Sequence, residues 1–377
     1  MNRQLRIDQI VLSVSNLRAL SFLTVLVALL VCGTARATVT TKKSLWGPAT
    51  VQGASQFPIY EDLGVGVWQT NLSWDRIAIR RPDRPGDPSD RAYAWPAELD
   101  ASIADAGSHG IGVSVLVMGT PAWANGGRAP RWAPDRPRDF AEFVAAAARR
   151  YPAVRRWMIW GEPTKAANFQ PLREDQGRRL KGRGLRGPHR YARMLDAAYG
   201  ALKAVDRRNL VIGGNSFTTG TVRPRQWIRA LRLPSGRSPR MDLYGHNPFS
   251  ARPPLLVNDP LGSGYADFGD LDTLMMWLDR YLRGARPDGH RLKLFLSEYS
   301  LPTDQENFEF NFWVSRQIQA TWIADALRET RRTRRIATFG YLGLYDDPVR
   351  PDGRQVERGL IERDGTRKPA YFAFRDG

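Results

Sequence analysis

RWMIWGEPT at residues 156–164 and LKLFLSEYS at residues 292–300 are two versions of one pattern. In each, an apolar run leads to a glutamate, Glu162 in the first and Glu298 in the second. Short apolar runs bounded by turn-forming residues read as buried strands. Pro163 cannot donate to a sheet ladder, and Gly161 lets the chain bend, so the first strand is expected to stop at its carboxylate.

Working outward from these two, the sequence predicts strands at 43–50, 64–74, 111–117, 157–162, 210–214, 242–246, 292–298 and 336–345. Helices are expected between them at 57–62, 99–106, 139–151, 191–205, 225–231, 271–282, 313–329 and 368–374, with 313–329 the longest. The helix at 139–151 carries acidic residues early and arginines late, as the helix dipole favours. Eight strands alternating with helices is the pattern of a (β/α)8 barrel, an α/β fold. The alternative is a doubly wound open sheet. Its G-x-G-x-x-G turn is missing, because Gly64-Val65-Gly66 lacks the third glycine.

In a barrel the catalytic groups gather at the carboxyl ends of the strands. Glu142, Glu174, Glu306, Glu309 and Glu329 fall on expected helices or loops, whereas Glu162 and Glu298 end strands four and seven. Taken singly, each would read as a strand-end residue in an ion pair. As a pair, they match what glycosidic bond cleavage needs: two carboxyl groups flanking one bond.

IWGEPT and FLSEYS resemble the acid/base and nucleophile strands of clan A glycoside hydrolases, the retaining (β/α)8-barrel enzymes that include families five and thirty-nine. The resemblance implies an O-glycosyl hydrolase acting on a poly- or oligosaccharide. Glu298 would attack the anomeric carbon while Glu162 protonates the departing oxygen and later activates water. No cofactor is implied. Two positions depart from the clan's pattern. Gly161 stands where an asparagine usually precedes the acid/base, and Gln69 where an arginine usually lies beneath the nucleophile. Without that arginine the proton affinity of Glu298 is expected to rise. A barrel that has lost catalysis and only binds an extracellular glycan is the alternative function.

Aromatic rings stack on the flat C–H faces of sugars, so Trp74, Trp123, Trp160 and Tyr345, all near strand ends, are candidate substrate platforms. Asn215 at the end of strand five is a candidate partner for hydroxyls. Tyr244 and His246 end strand six, and the clan resemblance implies that they help orient the nucleophile; a histidine satisfied by a backbone carbonyl is the plain alternative. With four histidines in the chain, and the other three on expected helices or loops, no metal site is expected.

The N-terminus has Arg3, Arg6 and Arg18, then an apolar run at 19–31, then Ala35-Arg36-Ala37. This order reads as a secretory signal peptide over 1–37, with the barrel domain at 38–377. The expected location is secreted or bound to the cell envelope, without stable membrane insertion once the leader is cleaved. An anchor formed by an uncleaved N-terminal helix is the alternative, although the run is shorter than the roughly 20 residues a spanning helix needs. The leader holds Cys32, the one cysteine, so disulfides and thiolate sites are excluded from the remainder. The formal charge is +18, but the arginines are scattered and no nucleic-acid-binding motif accompanies them. An anionic cell-wall polymer is a partner compatible with that charge; nucleic acid is not expected.

Overall fold

A computed structural model describes residues 5–6, 38–256 and 260–377. The leader expected at 1–37 lies outside the described residues, apart from Leu5 and Arg6, which pair with Phe312 and Trp313. Among the described residues, no helix is long and apolar enough to cross a membrane.

Eight parallel strands close into a barrel: β1 (Thr40–Trp46), β2 (Val65–Ser73), β3 (Gly112–Met118), β4 (Arg156–Ile159), β5 (Leu210–Phe217), β6 (Leu243–Asn247), β7 (Lys293–Tyr299) and β8 (Ile336–Leu342). Each pairs with its sequence neighbours, and β8 pairs with β1 through Phe339 opposite Lys43. The helices that follow the strands around the barrel are α1 (Phe57–Asp62), α2 (Ala97–Ser108), α3 (Pro137–Arg150), α4 (Arg186–Val205), α5 (Pro224–Ala230), α6 (Leu271–Tyr281), α7 (Arg316–Arg332) and α8 (Pro369–Asp376), and a four-residue helix, Trp74–Ile77, comes directly after β2. The (β/α)8 expectation holds, and the open-sheet alternative falls.

The two faces of each strand explain the burial. Leu116, Met158, Ile212 and Phe295, from β3, β4, β5 and β7, form one cluster inside the barrel. Their strand neighbours, among them Trp157, Ile159, Leu294 and Leu296, belong to the larger outer core against the helices. That alternation follows from the period of two along a strand. In α3, Phe140, Phe143, Val144 and Ala147 recur at helical spacing and are buried. Burying such an apolar stripe supplies most of a helix's stability in a folded protein.

Two expectations are corrected. The longest helix is α4, with 20 residues against 17 in α7, because the basic stretch from Arg186 to Arg190 forms its first turns. The first strand starts at Thr40, three residues earlier than expected, and ends at Trp46, four residues earlier, since Gly47-Pro48 cannot continue it. Lys43 turns away from the barrel interior, and its ammonium donates to Phe374 O at 2.7 Å and Arg375 O at 2.8 Å, capping α8.

Candidate active site

The strand before Glu162 stops sooner than its sequence suggests. β4 ends at Ile159, and both Trp160 and Glu162 take left-handed backbone angles, φ 66° and 43°. Bulky residues seldom adopt this region, and it costs on the order of 1–3 kcal/mol. Glu162 therefore sits on a tight turn above the strand. Asn215, itself at φ 43°, holds that turn: its amide nitrogen donates to Ile159 O at 3.1 Å and Trp160 O at 2.7 Å.

Glu298 reaches the rim by a different device. The pairing of β7 with β8 shifts between Leu296 and Tyr299, which interrupts the alternation of inward and outward side chains. A shift of this kind re-aims a side chain. Ser297 anchors the backbone beneath: its carbonyl accepts from Gln69 Nε2 at 2.8 Å and from Trp46 Nε1 at 3.1 Å.

Both glutamates line one cavity of about 640 Å³ at the carboxyl ends of the strands, together with Lys165, Phe217, Phe249 and Phe310. Their surroundings differ sharply. Glu162 accepts three hydrogen bonds: from Lys165 Nζ at 2.8 Å and Asn168 Nδ2 at 3.3 Å on Oε2, and from Asn247 Nδ2 at 3.1 Å on Oε1. Glu298 accepts none from the described residues. Burial, followed by the nearby Glu162 carboxylate, pushes its pKa up to about 8, while Lys165 and Arg358 oppose the rise. The Glu298 carboxyl therefore holds a proton into the neutral range, a property that acid–base work at a carboxyl pair can use.

Gln69 explains part of this. It spends its donors on Ser44 Oγ and Ser297 O, so this neutral side chain brings no positive charge and no hydrogen bond to the Glu298 carboxyl. The space there is also limited. A Cβ on Gly340 of β8 would lie 2.7 Å from Gln69 Nε2, so the two strands meet closely at this point.

The five residues expected to contact substrate, and Tyr244 and His246 expected to orient the nucleophile, do not line the cavity. Trp74 opens the short helix after β2 and is buried, its ring stacked on Phe143 at 5.7 Å. Trp123 donates from Nε1 to Ala78 O at 2.7 Å, with Arg81 over its ring; it shares with Trp74 a separate pocket of about 250 Å³. The left-handed turn at Trp160 carries its ring into the core, where Nε1 donates to Asn168 O. Asn215 is committed to the two carbonyls just named, and Tyr345 donates to Gln56 Oε1.

Tyr244 and His246 are fully buried in a chain of hydrogen bonds. Tyr244 donates to Ser216 Oγ at 3.0 Å, Ser216 lies 2.8 Å from His246 Nδ1, and His246 Nε2 lies 3.0 Å from Ala266 O. A carbonyl only accepts, which assigns the proton to Nε2. Burial lowers the pKa of this histidine to about 4 and keeps it neutral. His246 is thus satisfied by a backbone carbonyl.

Lys165, Asn168 and Asn247 escaped the sequence reading. Asn247 was legible as the last residue of β6, one beyond His246, and Lys165 as a cation three residues after Glu162. Phe310 comes from the long segment between β7 and α7, where no periodicity marks a side chain's direction.

No protein-family model matches the sequence, and no curated protein does. Solved structures do. A family 39 glycoside hydrolase from Bacteroides cellulosilyticus superposes with TM-score 0.65 at 16% identity, over 90% of this chain and 63% of its own. A family 39 β-xylosidase from Caulobacter crescentus gives TM-score 0.57 at 17% identity, over 90% of this chain and 72% of its own. A family 39 enzyme from Xanthomonas axonopodis pv. citri gives 0.58 at 16%, over 90% and 66%. The chain therefore spans less than two thirds of the length of the first and third of these. Together they establish a shared barrel fold.

Proposed function

We propose that this chain is a glycoside hydrolase that cleaves O-glycosidic bonds of a poly- or oligosaccharide with Glu162 and Glu298 as its carboxyl pair. The observation that carries this reading is one cavity lined by both glutamates, at the barrel face where (β/α)8 enzymes hold their chemistry. The fold shared with family 39 glycoside hydrolases supports it.

The roles we assign follow strand position. Glu298, in β7, is the nucleophile, and Glu162, after β4, is the acid and then the base of a retaining double displacement. In the free protein burial raises the Glu298 pKa to about 8, so this carboxyl holds a proton near neutral pH. Positive charge developing at the anomeric carbon favours the Glu298 anion, so a bound sugar drives the proton toward the partner that must donate it. Asn247 and Asn168 hold the Glu162 carboxyl in place during the exchange.

One observation favours a second reading, a barrel that binds glycan without cutting it. Gln69 donates to the Ser297 backbone and not to the Glu298 carboxylate, so it supplies the nucleophile with neither charge nor hydrogen bond. A reducing-end assay on plant, microbial and uronic-acid polysaccharides, run beside Glu162→Gln and Glu298→Gln, separates the two. Cleavage by the wild type that both variants lose establishes the hydrolase. Binding without cleavage, equal in all three proteins, establishes the glycan-binding barrel. We also propose export by the leader at 1–37, giving a secreted or envelope-bound protein; recovery of a mature chain beginning at Thr38 tests it.

A further inference from the structure

A second cleft, of about 770 Å³, lies at the opposite end of the barrel. It is lined by Arg232, Arg237 and Arg240 from the segment joining α5 to β6, and by Arg280 and Arg283 from the end of α6 and the residues beyond it. These segments precede β6 and β7, which puts the cleft at the amino ends of the strands.

Asp196 is the single acidic residue in the lining, and Arg240 occupies it, with Nε on Oδ1 at 2.8 Å and Nη2 on Oδ2 at 2.9 Å. The remaining four guanidinium groups pair with no carboxylate among the described residues. Arg232 is half-buried and donates only to the carbonyls of Leu231 and Tyr281. Arg237 donates to Ser235 Oγ, and Arg280 rests over the Tyr281 ring at 5.4 Å. Arg283 extends into solvent.

A guanidinium has five donors in a planar fork that matches the oxygens of phosphate and carboxylate. About half of the arginines elsewhere among the described residues find an aspartate or glutamate, as Arg150 finds Asp100 and Arg335 finds Asp279; what sets this cleft apart is that four without one line the same concavity. Four guanidinium groups without an ion pair of their own line one concave surface, a setting that favours an anion. We propose that this cleft is a second binding site, separate from the carboxylate-lined cavity, for a ligand presenting two or more oxyanion groups, phosphate or carboxylate. The inference stands independently of the proposed hydrolase activity, because none of its residues touches that cavity.

Isothermal titration of the full chain with tripolyphosphate and, separately, with trigalacturonate tests the site and tells the two sources apart. At least one is expected to bind, more weakly as sodium chloride rises. Arg280→Gln/Arg283→Gln is expected to weaken that binding about tenfold or more, the loss of two charge-assisted contacts. These two side chains are peripheral, so the variant folds, which an unchanged melting temperature will verify. Arg91→Gln, an exposed arginine elsewhere, controls for net charge and is expected to change affinity less than twofold. No binding of either anion overturns the proposal. So does binding that the double variant leaves intact, or that Arg91→Gln weakens equally.

Discussion

Lys165 Nζ lies 2.8 Å from Glu162 Oε2, three residues along the same turn, and its ammonium stands 4.0 Å above the Phe217 ring. The cation thus serves both carboxyl groups: it pairs directly with Glu162 and, from farther away, restrains the rise in the Glu298 pKa. The protonation of the pair therefore depends on a residue outside it.

The pair loses its shared proton as pH passes about 8, so kcat/KM should fall on that side. Lys165→Gln removes one of the two cations that hold the Glu298 pKa down, and should move this limb upward by on the order of one unit. A pH–rate profile of the variant with an unmoved basic limb would refute the coupling.

Glu298→Gln should abolish cleavage yet stabilise the fold at neutral pH. The folded pKa is raised from 4.5 to about 8, so the folded state binds more protons than the unfolded one between those values, and wild-type stability declines as pH rises through them. Glutamine carries no such liability. Its advantage should be absent below about pH 4 and on the order of 2–3 kcal/mol at pH 7, seen as a higher melting temperature. Equal melting temperatures at pH 7 would mean that the carboxyl is not desolvated.

Gln69→Ala should cost about 1–3 kcal/mol, since it leaves Ser44 Oγ and part of the Ser297 carbonyl without their donor. Because Ser297 is the backbone support of Glu298, kcat should fall more than KM rises. Denaturant melts and steady-state kinetics on the same preparation check both halves.

Gly245→Ala places a Cβ 1.7 Å from Asn215 Oδ1. Asn215 cannot yield without releasing Ile159 O and Trp160 O, so a loss of about 1–3 kcal/mol or more is expected, with activity falling alongside as the Glu162 turn loosens. A stable, fully active alanine variant would show that Asn215 does not hold that turn.

The sequence made the barrel readable because apolar runs ending in Gly, Pro or a carboxylate repeat eight times at strand length. The place of the two glutamates on one cavity was readable for the same reason: each follows an apolar run that ends at the same face of the barrel. Trp74 and Trp160 turn away from the cavity because proximity to a strand end does not fix a ring's direction. At Trp160 the left-handed turn swings the ring inward, and at Trp74 the helix beginning there does the same. Residues such as Phe310 and Glu309, which line the cavity from the segment between β7 and α7, depend on a path that no local pattern encodes.

Thr338 Oγ1 donates to Thr41 O across 297 residues of chain, part of the seam where β8 meets β1. Contacts so distant in sequence form slowly, because loop entropy must be surrendered before they reward it. Until the seam closes, β1 and β8 are both open edges able to template association with other chains. Yield on refolding should therefore fall steeply with protein concentration, and slowing synthesis at low temperature should raise the soluble fraction.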